Sequence, residues 1–119
     1  MSTDVLTPRL LTARPAKDGE AFLVFVEGRG GVLGRRVALH SEVVMGRDPT
    51  CGVLLDAEEV SRRHARVVPQ GDGHVVGDLG SLNGTWVNGR EVEWARLAAG
   101  DRIRVGPYVA TYLPAGGDH

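Results

Sequence analysis

Two Asn-Gly pairs stand close together in the stretch at residues 80–89, GSLNGTWVNG, and they limit the folds that this chain can adopt. Asn-Gly is a strong signal for a tight β-turn, because both residues accept positive φ values. The residues between the pairs, Thr85, Trp86 and Val87, favour strands. The stretch therefore predicts a turn, a very short strand and a second turn. Two interpretations stay open at this point: a binding loop rich in N–H and amide donors, or two ordinary turns of an all-β domain.

The rest of the chain shows similar short apolar segments and glycine-rich turns, and no segment has a sustained helical period. We predict strands over residues 21–27, 35–40, 43–46, 53–55, 65–68, 74–76, 85–87, 90–92, 102–105 and 108–113. The first of them is continuously apolar, which predicts burial on both faces. Residues 56–59 are predicted as a loop and residues 93–99 as a connection. Many short strands with such turns are typical of a sandwich or barrel.

Length and charge restrict the class of protein. The chain has 119 residues, a usual size for one domain. We predict that domain over residues 20–114, between a flexible N-terminal tail at residues 1–19 and a flexible end at residues 115–119. The net charge of −1 argues against binding nucleic acid or membranes through bulk charge. The single cysteine, the lack of a bilayer-spanning apolar run and the lack of a secretory signal lead us to expect a cytoplasmic protein.

Three short motifs follow one another at predicted strand ends and loops. Gly-Arg at residues 46–47 ends one strand, Ser-x-x-His at residues 61–64 precedes another, and Ser-x-Asn-Gly-Thr at residues 81–85 lies in a loop. Their order and spacing closely resemble the forkhead-associated (FHA) domain, over roughly residues 21–113. The resemblance implies an all-β, FHA/SMAD-like fold, a two-sheet β-sandwich of about eleven short strands whose loops at one end grip a phosphothreonine peptide.

The resemblance also implies roles for individual residues. A phosphothreonine carries about −1.5 to −2 charge and three strong acceptor oxygens, so its site needs a fixed cation and oriented donors. Arg47 would supply a planar fork of N–H donors and Ser61 a hydroxyl. The other expected phosphate contacts come from Arg62, Ser81 and the backbone N–H of Leu82.

A second group of residues is expected to act around the phosphate contacts. By resemblance, the side-chain amide of Asn83 holds the main chain of the bound peptide. Structural roles in shaping or tying loops fall to Gly46, His64, Gly84, Asn88 and Gly89. One departure from the family concerns Leu82, because the family often has Thr or Ser at this position. A side-chain hydroxyl donor is therefore missing here.

Catalysis and metal binding are not predicted. Ser61 and His64 could suggest a nucleophile and its base, but on a strand they would point to opposite faces, and no third carboxylate or oxyanion loop is evident. The spacings of the histidines and of Cys51 fit no metal-ligand pattern. We therefore predict that the chain is not an enzyme and that it needs no catalytic residue, metal or cofactor.

The predicted partner is a phosphothreonine-containing protein or peptide in Ser/Thr kinase signalling. Neither nucleic acid nor a membrane is predicted to bind this domain, and the chain is expected to be a monomer or a weak oligomer. One alternative from a different class stays open: an FHA-fold domain for assembly or self-association with weak or no dependence on phosphate, as the regulatory part of a longer signalling protein. The presence of both Arg47 and Ser61 favours phosphopeptide binding over this alternative.

Overall fold

The computed structural model describes residues 13–116. This part of the chain is built from short strands, and its one helical segment is a 3-10 turn at Gly30–Val32, so it contains no helix that could cross a membrane. The strands are β1 (Phe22–Glu27), β2 (Arg36–Ala38), β3 (Val43–Gly46), β4 (Val53–Leu54), β5 (Ala65–Gln70), β6 (Gly73–Asp78), β7 (Thr85–Val87), β8 (Arg90–Val92), β9 (Trp94–Arg96), β10 (Arg102–Val105) and β11 (Tyr108–Leu113).

The eleven strands form two sheets that pack face to face. One sheet has the order β2-β1-β11-β10-β7-β8 and the other the order β4-β3-β5-β6-β9. All neighbouring strands run antiparallel except β3 and β4, which are parallel. The predicted fold class, an all-β sandwich of two sheets, is confirmed.

The core lies between the sheets and consists mainly of aliphatic side chains. Strand β1 contributes Leu23 and Phe25, which are buried, whereas Val26 is 43% exposed. The prediction of burial on both faces of this strand is therefore wrong, because the outer face of its sheet meets water. The outward-facing ring of Phe22 is covered instead by the guanidinium of Arg36, 4.3 Å from the ring centroid.

The turn predicted at the second Asn-Gly pair is confirmed, and it joins two strands of a hairpin. Strand β5 pairs with β6 across a turn at residues 71–72, and β7 pairs with β8 across the second Asn-Gly pair. Asn88 has φ 51° and Gly89 has φ 83°. Positive φ at both central residues is typical of a type I′ turn, whose twist matches that of the flanking strands.

Strand β9 lies where the sequence predicts a connection, over residues 93–99. Its Trp94 is opposite Gly77 of β6, and the N–H of Asp78 donates to the carbonyl of Glu93 at 2.8 Å. The strand lies at the edge of its sheet, and its Trp94 is 68% exposed. The segment therefore lacks the alternation of buried apolar and exposed polar residues that predicts a strand. Pairing with β6, and not its own side chains, makes it a strand.

Part of the predicted N-terminal tail contacts the sandwich. Residues 13–19 belong to the predicted tail, but the N–H of Ala13 donates to the carbonyl of Gly52 and the N–H of Ala16 donates to the carbonyl of Arg36. Backbone hydrogen bonds of this kind hold a segment that carries little apolar pattern of its own. The remainder of the predicted tail, residues 1–12, lies outside the described residues, as do residues 117–119 of the predicted C-terminal end.

Candidate binding site at one end of the sandwich

Three loops meet at one end of the sandwich, and we call them the rim loops. They are residues 47–52 between β3 and β4, residues 55–64 between β4 and β5, and residues 79–84 between β6 and β7. The Gly-Arg, Ser-x-x-His and Ser-x-Asn-Gly-Thr motifs lie in these loops or directly beside them. The fold therefore brings together segments that are far apart in the sequence.

Hydrogen bonds join the rim loops to one another. The N–H of Arg47 donates to the carbonyl of Ser61 at 3.0 Å. The N–H of Leu82 donates to the hydroxyl oxygen of Ser61 at 3.0 Å, and the side-chain amide of Asn83 donates to the carbonyl of Glu59 at 2.9 Å. Arg47, Ser61, Leu82 and Asn83 are thus neighbours at one rim.

A hydrogen bond fixes the guanidinium of Arg47 through its Nε and leaves the two terminal nitrogens open. Its Nε donates to the carbonyl of Val60 at 3.0 Å, and this bond fixes the plane of the guanidinium. Among residues 13–116, the two terminal nitrogens make no hydrogen bond or ion pair. A guanidinium stays protonated in proteins, so these nitrogens form a permanent positive fork on an exposed side chain.

The hydroxyl of Ser61 keeps a donor for a ligand. Its oxygen already accepts the N–H of Leu82, so the hydroxyl proton itself is not used in that bond. The side chain of Leu82 is 89% exposed, and only its backbone takes part in the rim. The backbone N–H of Leu82, an expected phosphate contact, is therefore bound to Ser61 in this structure.

His64 ties two rim loops together from below. The imidazole is fully buried, its Nδ1 accepts the N–H of Ser61 at 3.0 Å, and its Nε2 lies 2.8 Å from the carbonyl of Gly84. Because Nδ1 is an acceptor and a carbonyl can only accept, the proton is on Nε2, which donates to Gly84. Both ring nitrogens thus bind backbone groups.

This geometry leaves His64 no role as a base toward Ser61. Residues 61–64 lie in the loop before β5, which begins at Ala65 as predicted, so the argument from opposite faces of a strand does not apply to this pair. Both nitrogens of the imidazole are already engaged, so neither faces the Ser61 hydroxyl. Between residues 13 and 116, no group of three His, Cys, Asp or Glu side chains could hold a metal ion.

Ser81 is not brought into the cluster of free donors. Its hydroxyl donates to a carboxylate oxygen of Asp78 at 2.5 Å and accepts the N–H of Gly84 at 2.9 Å. A serine hydroxyl has one proton, and here that proton is given to Asp78. The structure therefore differs from the expected phosphate contact, because the side chain faces its own loop.

Asp78 is a residue at this site to which sequence reasoning gives no role. Burial alone would raise the pKa of its carboxyl, but hydrogen bonds, chiefly from the side chains of Ser81 and Thr85, outweigh it and lower the pKa below its ordinary value. An Asp that precedes a Gly and a Ser by two and three residues is a common start for a side-chain-capped turn. That spacing is the signal that could have identified it.

Arg62 contacts an acidic neighbour. Its guanidinium lies 3.3 Å from a carboxylate oxygen of Asp48, and its side chain is 76% exposed. The hydrogen bonds from the N–H and hydroxyl of Thr50 lower the pKa of Asp48, and Arg62 adds to this effect. An exposed pair of this kind contributes little to stability, so the Arg62 side chain can move to another anion at low cost.

The glycines and the second Asn-Gly pair have separate positions. Gly46 is the last residue of β3 and lies directly beneath the Arg62 backbone, so its role is a close approach and not a turn. Gly84 has φ 88°, which L side chains rarely adopt, and it lets the third rim loop enter β7. Asn88 and Gly89 lie at the other end of β7, away from the rim.

Residues 43–106 match the FHA domain family model. This chain belongs to the FHA domain family. Its FHA domain is 40% identical over 97 residues to the oxoglutarate dehydrogenase inhibitor of Corynebacterium jeikeium, which covers 81% of this chain and 66% of the relative. It is 41% identical over 96 residues to the glycogen accumulation regulator GarA of Mycolicibacterium smegmatis, which covers 80% of this chain and 60% of the relative.

A solved structure agrees with the family. The FHA domain resembles one from a structural and functional analysis of phosphothreonine-dependent FHA domain interactions, with a TM-score of 0.70, 32% identity and coverage of 79% of this chain and 95% of that chain. Membership confirms the predicted family and the predicted class of function, an FHA phosphothreonine-binding module. The curated relatives are named as an inhibitor and a regulator, which supports the prediction that the chain is not an enzyme. The chain spans about three fifths of the length of such curated relatives.

Proposed function

We propose that the rim loops of this FHA domain bind phosphothreonine segments of protein partners in Ser/Thr kinase signalling. Arg47 and Ser61 contact the phosphate, and the side-chain amide of Asn83 holds the main chain of the peptide. The observation that carries the proposal is the fixed guanidinium of Arg47, whose terminal nitrogens are open next to a serine hydroxyl with an unused proton. A doubly charged ester with several acceptor oxygens fits such donors.

The donors differ in what they add to affinity. A hydrogen bond to a charged group contributes about 1.5–3 kcal/mol, and a few of them suffice for micromolar binding. Leu82 and Asn83 already donate to Ser61 and Glu59, so they would exchange one partner for another and contribute only the difference. We therefore assign most of the phosphate affinity to Arg47 and Ser61.

Two of the expected phosphate contacts change in this proposal. Ser81 is left out, because its proton is donated to Asp78. Arg62 is kept as a contact that forms when its guanidinium leaves Asp48 for the more highly charged phosphate. Two anions competing for one exposed guanidinium make its contribution smaller than that of Arg47.

We extend the proposal from the rim loops to the role of the whole protein. The names of the relatives, an oxoglutarate dehydrogenase inhibitor and a glycogen accumulation regulator, suggest control of a metabolic partner through protein binding. We propose a regulatory protein of this kind, located in the cytoplasm and present as a monomer or weak oligomer. We propose that this domain binds neither nucleic acid nor a membrane.

The test is a titration of a degenerate phosphothreonine peptide library against the wild type and Arg47→Ala. Loss of two charge-assisted bonds should weaken binding by at least about a hundredfold, while circular dichroism stays unchanged. Arg66→Ala is the matched control, because Arg66 is a similarly exposed arginine paired with Glu42 on the sheet. Equal binding by wild type and Arg47→Ala would refute the site, and equal binding of unphosphorylated peptides would favour the assembly function.

A further inference from the structure

We propose that Asp78 is a positioning residue for phosphothreonine binding, which holds residues 80–85 so that Leu82 and Asn83 face the ligand. Asp78 touches no ligand in this arrangement and acts through the third rim loop. The inference rests on the proposed function of the rim and adds to it a residue for which the sequence predicts no role.

The carboxylate of Asp78 is the centre of the loop's hydrogen bonds. Its Oδ1 accepts the hydroxyls of Ser81 at 2.5 Å and Thr85 at 2.7 Å. Its Oδ2 accepts the N–H groups of Gly80 and Ser81, both at 3.0 Å. The Ser81 hydroxyl in turn accepts the N–H of Gly84, which extends the network to the end of the loop.

The loop has little apolar packing to hold it otherwise. Leu82 is 89% exposed and Asn83 is also exposed, so the two residues that face the ligand have no place in the core. Their bonds to Ser61 and Glu59 are the ones that a bound peptide would exchange. The bonds to Asp78 are not exchanged, and they keep the loop in one conformation before the ligand arrives. Order that exists before binding lowers the entropy lost on binding.

The chemistry requires a carboxylate at this position. Four donors converge on its two oxygens, and a carboxylate accepts on both. An amide has one oxygen and one NH₂ group. In Asp78→Asn the NH₂ group, itself a donor, would therefore face two of the four donors. The hydroxyls of Ser81 and Thr85 can rotate to accept, whereas the backbone N–H groups cannot. Asp78→Asn should therefore retain part of the positioning of the loop, and Asp78→Ala none of it.

A matched control lies at the other end of β7. Asp101 also caps a loop, because its carboxylate accepts the N–H of Ala98 at 2.8 Å and the side-chain amide of Asn88 at 2.9 Å. Asp101→Ala removes two hydrogen bonds of the same kind at the other end of β7. It reports the effect of losing a loop-capping carboxylate that has no connection to the ligand.

The experiment measures binding of a fluorescein-labelled phosphothreonine peptide, the tightest library member for the wild type, at a temperature at which every variant is folded. We expect Asp78→Ala to bind at least about tenfold more weakly, Asp78→Asn to be intermediate, and Asp101→Ala to stay within about twofold of the wild type. Wild-type affinity in Asp78→Ala would overturn the role of Asp78 alone. Failure of the wild type to bind would overturn the proposed function together with it.

A double-mutant cycle separates positioning from general destabilisation. If Asp78 acts through Asn83, then Asp78→Ala costs less affinity in an Asn83→Ala background than in the wild type. The same cycle with Asp78→Asn covers the case in which the alanine variant does not fold. Additive losses in the cycle would overturn the proposal, because they would place the effect of Asp78 outside the loop that carries Asn83.

Discussion

A Cβ atom built on Gly46 would lie 2.1 Å from the carbonyl oxygen of Arg62. No real Cβ contact is that short, so the second rim loop can lie against the end of β3 only because residue 46 has no side chain. The same loop carries Ser61, whose hydroxyl and carbonyl both take part in the rim. The glycine of the Gly-Arg motif thus sets the distance between the strand that carries Arg47 and the loop that carries Ser61.

We expect Gly46→Ala to destabilise the protein by about 1–3 kcal/mol or more, because the backbone of Arg62 must shift to admit the methyl group. Urea denaturation measures the change in the free energy of unfolding. Gly77→Ala is the control, since a Cβ there would meet nothing closer than the Glu93 carbonyl at 3.9 Å. Equal stability of the two variants would contradict the steric argument.

Leu82→Thr is expected to tighten phosphothreonine binding modestly, by a few-fold, because it adds a hydroxyl donor beside the phosphate. The side chain is 89% exposed, so the substitution should leave the free energy of unfolding nearly unchanged. Calorimetric titration with the phosphothreonine peptide gives the affinity. Leu82→Val has the same branched shape without the hydroxyl, and a gain of affinity in that variant as well would rule out a hydroxyl contact.

The ion pair between Arg14 and Glu20 predicts a pH dependence. The two side chains form a bidentate pair at 2.5 and 2.9 Å, and these bonds, followed by the N–H of Lys17, lower the pKa of Glu20 from 4.5 to about 2. Because the folded-state pKa is lowered, the carboxylate stabilises the fold above pH 4.5, and this stabilisation disappears as the pH falls toward 2.

An NMR titration of the Glu20 carboxyl carbon is the direct measurement, with an expected midpoint of about 2. The midpoint should rise toward 4.5 in Arg14→Met, which keeps the length of the side chain but removes its charge and donors. A wild-type midpoint near 4.5 would show that the segment at residues 13–16 does not hold this pair in solution.

Several elements are predictable because their signals are local. The hairpin at Asn88 and Gly89 follows from two residues that accept positive φ, and ten of the strands follow from short apolar segments between turns. Strand β9 is not predictable in this way, because Trp94 is exposed at a sheet edge and only pairing with β6 makes the segment a strand.

Ser61 and Ser81 show where prediction of the site ends. Both serines lie in rim loops, and the hydroxyl oxygen of each accepts a backbone N–H, that of Leu82 for Ser61 and that of Gly84 for Ser81. The sequence predicts that both contact the phosphate. The structure gives the proton of Ser81 to Asp78 and leaves that of Ser61 unused. The difference depends on where a carboxylate lies, and not on the motif that contains either serine.

The type of fold, the family and the residues that can carry the chemistry follow from the sequence, because turn formation, strand alternation and donor chemistry are properties of residues and their near neighbours. Which donors are open to a ligand depends on contacts between distant parts of the chain. The bonds that settle this join His64 to Gly84, Leu82 to Ser61 and Asn83 to Glu59, across 20 to 24 residues of chain. A donor that is bound to one of these acceptors is not open to a ligand. The packing of the two sheets determines which acceptors lie within reach of each donor.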